Sequence, residues 1–249
     1  MRRDLLAVAG MGVLIVLLWQ AIVIVGGYPK YILPGPLDVF DRFSAPRYQA
    51  MLLENLVTTL IEVLLGLALG VSSALLTGFV LARSRLAEKL LSPYIVAAQA
   101  TPILALAPLI VLWFGSGLLS KVLICALICY FPMVVATTVG LRSIDAGLVE
   151  LGRSLRATRR QLLTAIEIPA ALPTILGGLK ISTTLAVVGA VVAEWAGGDS
   201  GLGGLINVAR GSLFDIPLMF ATLITIAAIG VALYLVVVLL ERRLIGART

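Results

Sequence analysis

The sequence predicts an all-α polytopic membrane protein with six transmembrane helices, and three observations carry that prediction. Of 249 residues, 60% are hydrophobic and only 13% are charged, a balance outside the range of water-soluble domains. Apolar runs longer than about 18 residues, each enough to cross the ~30 Å hydrocarbon core as a helix, recur along the chain. There are six: Leu5–Val25, Leu56–Leu81, Leu91–Phe114, Leu118–Leu141, Ile175–Ala196 and Ile216–Leu240. Third, the segments between them differ strongly in basic charge. Backbone groups in lipid must be satisfied within their own segment, and the alternation of a barrel strand is absent, so the runs read as helices.

Charge fixes the expected orientation. With the N-terminus inside, the inner segments carry 13 basic residues, while the outer ones carry only Lys30, Arg42, Arg47, Lys121 and Arg210. Lys180 sits near the inner end of the fifth span. That bias fits an even number of spans with both termini cytoplasmic. It also accounts for the net charge of +6 and leaves no soluble basic face for nucleic acid.

Arg2 and Arg3 before an apolar run resemble the start of a signal peptide. The run is longer than such a peptide's apolar core and no A-x-A cleavage site follows it, so a retained first span is expected. Tyr28, Pro29, Pro34, Gly35 and Pro36 then break the chain before LDVFDRF, which suits a short interfacial helix.

In the second span Gly66, Gly70, Ala74 and Gly78 recur at steps of four, a small-residue stripe that lets another helix approach closely. Glu62 lies one turn before it. A carboxylate there is costly unless paired or wetted, so it reads either as part of a translocation path or as an interfacial group.

The third span carries Pro93, Pro102 and Pro108, with Gln99 and Thr101 beside the middle one. Proline removes a ladder donor and bends the helix, and broken helices face protein or water-filled interiors. Gln99, Thr101 and Pro102 are thus candidates for path lining, the other reading being a structural kink. The fourth span holds Cys125 and Cys129 at i, i+4, which suits buried small apolar residues rather than a zinc site or disulfide.

In the fifth span Gly178, Ser182, Ala186, Gly189 and Ala193 share one stripe, and Thr183, Val187, Ala190 and Glu194 a second, partly polar one. Thr183 and Glu194 join the path candidates, Glu194 having a loop-capping role as its second reading. The following GGDSGLGGLINVARG resembles a phosphate-binding turn but lacks a GK[ST] ending and a preceding strand. Its glycines are expected to turn the chain back into the last span. No catalytic cluster or metal site is expected, and the chain contains no histidine.

The segment Glu150–Pro173, ELGRSLRATRRQLLTAIEIPAALP, is basic, amphipathic and placed between two spans on the positive side, a surface suited to docking a soluble partner. Leu155, Leu162, Leu163 and Ile166 offer apolar contacts, and Arg153, Arg156, Arg159 and Arg160 polar ones. Positive-inside placement is the alternative account of the arginines.

This segment resembles the EAA loop of membrane permeases in bacterial binding-protein-dependent ABC importers, whose pattern is E-A-A, three residues, G, nine residues, I-x-L-P. Glu150, Leu151 and Gly152 stand in the first three places, Arg156 in the glycine place, and Ile166, Ile168 and Pro169 at the end. Leu151 and Gly152 replace alanines, and Arg156 replaces a glycine that in the family lies at a turn. LPGPLDVF, ATPILALAPLIVLWFG, FPMVVATTVGLRSIDAGLVELG and AEWAGGDSGLGGLI resemble the subfamily of permeases for nitrate, taurine, aliphatic sulfonates, thiamine pyrimidine precursors and riboflavin, so that the likeness spans roughly residues 33–245.

The resemblance implies the type I ABC importer permease fold, with residues 1–249 forming one permease domain and 142–173 its cytoplasmic coupling segment. It implies contact with an ATPase dimer through Glu150, Leu151, Gly152, Leu155, Arg156, Ala157, Arg159, Arg160, Ile166 and Pro169. ATP and magnesium would belong to that ATPase, since no Walker A sequence occurs here. The other implied partners are a second, identical permease copy, an extracytoplasmic substrate-binding protein and the lipid of the bacterial inner membrane. The wording of the third and fourth spans favours a heterocycle, riboflavin or a hydroxymethylpyrimidine, and the absence of a deep lysine or arginine argues against an anion. Two rivals are weighed: an energy-coupling-factor component would show short Ala-Arg-Gly-like motifs, and an ion-coupled secondary transporter an internal repeat and paired intramembrane charges.

Overall fold

The computed structural model describes residues 2–198 and 200–246, so Arg248 lies outside the described residues. All regular elements there are helical. In order they are α1 (Arg2–Gly26), α2 (Pro36–Ser44), α3 (Pro46–Arg83), α4 (Arg85–Ala100), α5 (Ile103–Phe114), α6 (Leu118–Arg142), α7 (Ala146–Ser154), α8 (Arg159–Leu162), a π-helical turn (Leu163–Glu167), α9 (Ile168–Gly197), α10 (Leu202–Arg210) and α11 (Ile216–Ile245).

Five stretches are long and apolar enough to cross a membrane, and α4 with α5 makes a sixth only as a pair bent by 96°. The continuous third span expected over Leu91–Phe114 is therefore two helices. Pro102 is the cause: it forces the residue before it out of helical geometry, and Thr101 is extended at φ −75°, ψ 128°. Pro93 and Pro108 stay inside α4 and α5.

The chain divides into two compact units, Met1–Thr58 with Asp199–Ala227, and Thr59–Gly198 with Ala228–Thr249. In the first, the expected short helix forms as α2, and the Asp38 carboxylate at its third position accepts the Gly35 N–H at 3.1 Å. Trp19 of α1 donates to the Pro34 carbonyl at 3.1 Å and stacks on Phe220 at 5.8 Å between centroids. Arg42 Nε reaches both oxygens of Asp215 at 3.0 Å, and Asp215 in turn accepts the Leu218 N–H to cap α11. The glycine-rich stretch expected to be a simple turn instead builds α10, whose Leu202, Gly203, Gly204, Leu205 and Ile206 are buried. Gly201, at φ +90°, enters that helix, and its N–H is held by Asn55 Oδ1 at 2.8 Å.

In the second unit α6 is flanked by α3 and α9. Both small-residue stripes read from the sequence face it. A Cβ on Gly70 would lie 2.6 Å from the Ala126 carbonyl oxygen, and one on Gly178 only 2.2 Å from the Ala136 Cβ. Such contact leaves no room for a side chain and brings the backbones together. Ser182 Oγ donates to the Cys129 carbonyl at 2.9 Å, while the Cys129 thiol donates to the Ser182 carbonyl at 3.4 Å. Cys125 and Cys129 are free, buried and on one ridge, as the spacing indicated. Lys180 of α9 pairs with Glu241 of α11 at 2.5 Å.

Candidate functional site

The 146–173 segment is a helix–turn–helix and not a single helix. Asp145 caps α7, its Oδ1 accepting the Gly147 N–H at 2.7 Å. At the other end the Arg156 N–H donates to the Arg153 carbonyl at 2.9 Å, and the Ala157 N–H to the Gly152 carbonyl at 3.0 Å. That pair of bonds is a Schellman ending, and it needs a left-handed residue: Arg156 has φ +57°. The family's turn glycine is thus replaced by an arginine without loss of the turn. Thr158 and Gln161 then form a reciprocal capping box that starts α8.

Gly152 explains how the two arms close. It is buried, and a Cβ there would lie 2.6 Å from Leu162 Cδ2 and 2.9 Å from Ile166 Cδ1. Leu162 is buried. Of the other expected apolar contact residues, Leu163 and Ile166 are half-buried, while Leu155 is 75% exposed and with Leu148 and Leu151 forms an outward stripe along α7. Arg153, Arg156, Arg159 and Arg160 are also exposed, as is Glu150, while Ala157 is half-buried. Phe79, Arg83, Arg153, Arg159, Leu162 and Glu167 line an open recess of about 770 Å³ beside this segment.

Pro169, the last residue of the motif, sits in the first turn of α9. A proline clashes with the carbonyl four residues earlier, and the preceding turn is widened accordingly, the Ile168 N–H reaching Leu163 O in the i−5 pattern. Glu167 of this turn is ion-paired with Arg83 at the end of α3. Arg142, at the end of α6, pairs with Glu88 and also donates to the Leu81 carbonyl at 2.7 Å. Sequence reading missed both anchors, since their partners lie far apart in the chain.

The path candidates fall into two groups. Gln99 and Pro102 are exposed and Thr101 is half-buried, all at the α4–α5 break. Glu62, Thr183 and Glu194 are 1%, 1% and 0% exposed inside the second unit. Glu62 meets Lys121 of α6 at 2.7 Å, and Thr59 Oγ1 donates to Glu194 Oε1 at 2.5 Å. Lys121, counted among the outer positive charges, is the fourth residue of α6 and only 3% exposed, turned into the protein. The sequence signal was available: Glu62 and Lys121 are isolated opposite charges within apolar runs. Among the described residues no group of His, Cys, Asp and Glu is arranged to hold a metal.

A chain with five or six membrane-crossing helices and an interposed helix–turn–helix is a multi-pass protein of permease type. Residues 66–246 match the family described as the inner membrane component of binding-protein-dependent transport systems. The riboflavin transport system permease protein RibX of Chloroflexus aurantiacus is 46% identical over 232 residues, 93% of this chain and 86% of that one. The formylaminopyrimidine transport permease protein ThiX of Halalkalibacterium halodurans is 33% identical, over 94% and 93% of the two chains. A permease fold in a structure of the MetNI methionine ABC transporter superposes with a TM-score of 0.70 at 18% identity, covering 80% of this chain and 99% of that one. The chain belongs to the binding-protein-dependent transport family, and it is a permease subunit of an ABC importer.

Proposed function

We propose that this permease carries a flat heterocycle, riboflavin or a pyrimidine precursor of thiamine, into the cell. The observation that carries the reading is its 46% identity to a permease named for riboflavin transport, along nearly its whole length. The 33% identity to a formylaminopyrimidine permease supports the same substrate class. A putative aliphatic sulfonate permease of Bacillus subtilis, 35% identical over 94% of this chain, favours a sulfonate as the second reading.

In this proposal two identical copies enclose the path, with both termini in the cytoplasm. A cytoplasmic ATPase dimer, holding ATP and magnesium, receives the Leu148–Leu151–Leu155 stripe and the arginines around it. Glu150, Gly152, Ala157, Ile166 and Pro169 shape that surface. An extracytoplasmic binding protein delivers substrate from the other side. Closure of the ATPase dimer draws the two coupling segments together and tips the permeases between states, a rigid-body change driven by differential nucleotide affinity. Gln99, Thr101 and Pro102 line the path at the break between α4 and α5, and Glu62, Thr183 and Glu194 hold its wall.

The test is reconstitution with the ATPase and binding protein in proteoliposomes. ATP-dependent uptake of riboflavin or hydroxymethylpyrimidine, with taurine and nitrate excluded, is expected. Uptake of sulfonates alone would replace the substrate assignment.

A further inference from the structure

Four buried polar groups from three helices meet in the second unit: Thr59 and Glu62 from α3, Lys121 from α6 and Glu194 from α9, each at most 3% exposed. Lys121 Nζ donates to Glu62 Oε1 at 2.7 Å and Thr59 Oγ1 donates to Glu194 Oε1 at 2.5 Å. Thr59 and Glu62 lie three residues apart on one face of α3, so the Thr59 bond seats the Glu194 carboxyl beside that of Glu62. Yet Glu62 Oε2, fully buried, has no hydrogen-bond partner. These facts conflict only while both acids are ionised, because an ionised carboxylate has acceptors and no donor. One hydrogen between the two acids removes the conflict.

We propose that Glu62 and Glu194 bind a single proton between them, making a carboxylic acid–carboxylate hydrogen bond that joins α3 to α9. Charge points the same way. Among the described residues the cluster holds two carboxylates and one ammonium, and a surplus negative charge away from water is far more costly than a proton-bridged pair. Like-charged carboxyls in contact cannot both ionise, as paired carboxylates in other proteins show. The Cys125 thiol, one turn along α6 from Lys121, donates to the Ala186 carbonyl at 3.3 Å and so supplies nothing to Glu62. The proton-binding site is independent of the transported solute, and its failure would leave the importer reading untouched.

Infrared spectra of the purified chain in lipid nanodiscs, at neutral pH, test the site. The wild type is expected to show the carbonyl band of one protonated carboxylic acid per chain, shifted by 13C-glutamate labelling. Glu62→Gln and Glu194→Gln should each lose that band, and Glu194→Gln should do so while keeping the thermal midpoint, because its amide N–H replaces the shared hydrogen and leaves the Lys121–Glu62 pair intact. Glu62→Asp, which keeps a carboxyl, should move the band and not abolish it. A wild type without the band, or a band that survives in both glutamine variants, would overturn the proposal. So would a band that appears only when sodium is withdrawn, which would make a cation the occupant.

Discussion

The Ala157 N–H donates to the Gly152 carbonyl at 3.0 Å, closing a Schellman turn whose left-handed position is filled by Arg156 at φ +57°. A side chain with a Cβ is strained there by roughly 1–2 kcal/mol, and glycine is not. The Arg156 side chain is exposed. Arg156→Gly is therefore expected to stabilise the turn by about 1 kcal/mol, measured as a raised unfolding midpoint of the purified permease. A lowered midpoint would mean that the guanidinium holds the segment in place.

Coupling is tested one turn earlier. Leu155 is 75% exposed on the outward stripe of α7, and Glu150 is exposed near its middle. Replacing Leu155 with Glu, or Glu150 with Arg, should leave membrane insertion intact and uncouple ATP hydrolysis from uptake. Paired measurements of both activities in proteoliposomes check this, and normal transport by both variants would remove the proposed interface.

Lys121 and Glu62 are a buried pair at 2.7 Å. Removing one partner of such a pair strands the other charge and costs roughly 3–5 kcal/mol, whereas replacing both costs much less. Lys121→Met should lower thermal stability sharply, and adding Glu62→Gln should restore part of it. A single variant as stable as the wild type would contradict the pairing.

Helix approach gives a contrast between glycines. A Cβ at Gly70 would lie 2.6 Å from the Ala126 carbonyl oxygen, while one at Gly230 meets nothing within 4 Å. Gly70→Ala must move backbone and is expected to cost about 1–3 kcal/mol. Gly230→Ala should be neutral or stabilising by up to about 1 kcal/mol through helix propensity. Comparing the two denaturation midpoints decides it.

Outside the membrane spans, Lys30 hydrogen-bonds Asp38 at 2.5 Å and holds its carboxyl below the ordinary value of 3.8. A depressed folded pKa means that the unfolded chain binds the proton more readily. The pair's stabilisation is present at neutral pH and is lost as pH falls from the unfolded value through the folded one. Lys30→Gln should raise the Asp38 titration midpoint, read by 13C carboxyl chemical shifts, and leave it near the ordinary carboxylate value. An unchanged midpoint would exclude Lys30 as the cause.

Much of this protein was readable in one dimension. The Gly66–Gly70–Gly78 and Gly178–Gly189 stripes announced helix contact because small residues at helical spacing mark a close-packed face, and both stripes do lie against α6. The α4–α5 break was signalled only as a kink, since Pro102 reveals that backbone must bend but not that the bend reaches 96°. Glu150–Pro173 was recognised from its charge and its motif. Its shape was not, because the closure of its two arms about the Arg156 turn depends on Gly152 packing against Leu162 and Ile166.

The sequence by itself determined the membrane-spanning class, the position of the docking segment and the small-residue faces. These follow from hydrophobic length and periodicity, which are local properties. Tertiary structure alone decided that Lys121 turns inward to Glu62, that Arg83 holds Glu167, and that Thr59 and Glu194 share one buried cluster. Each of those contacts joins residues at least 59 positions apart, and its existence depends on how each helix is rotated against its neighbours. Burial then makes the pairing obligatory, since a charge removed from water must find its partner within the protein.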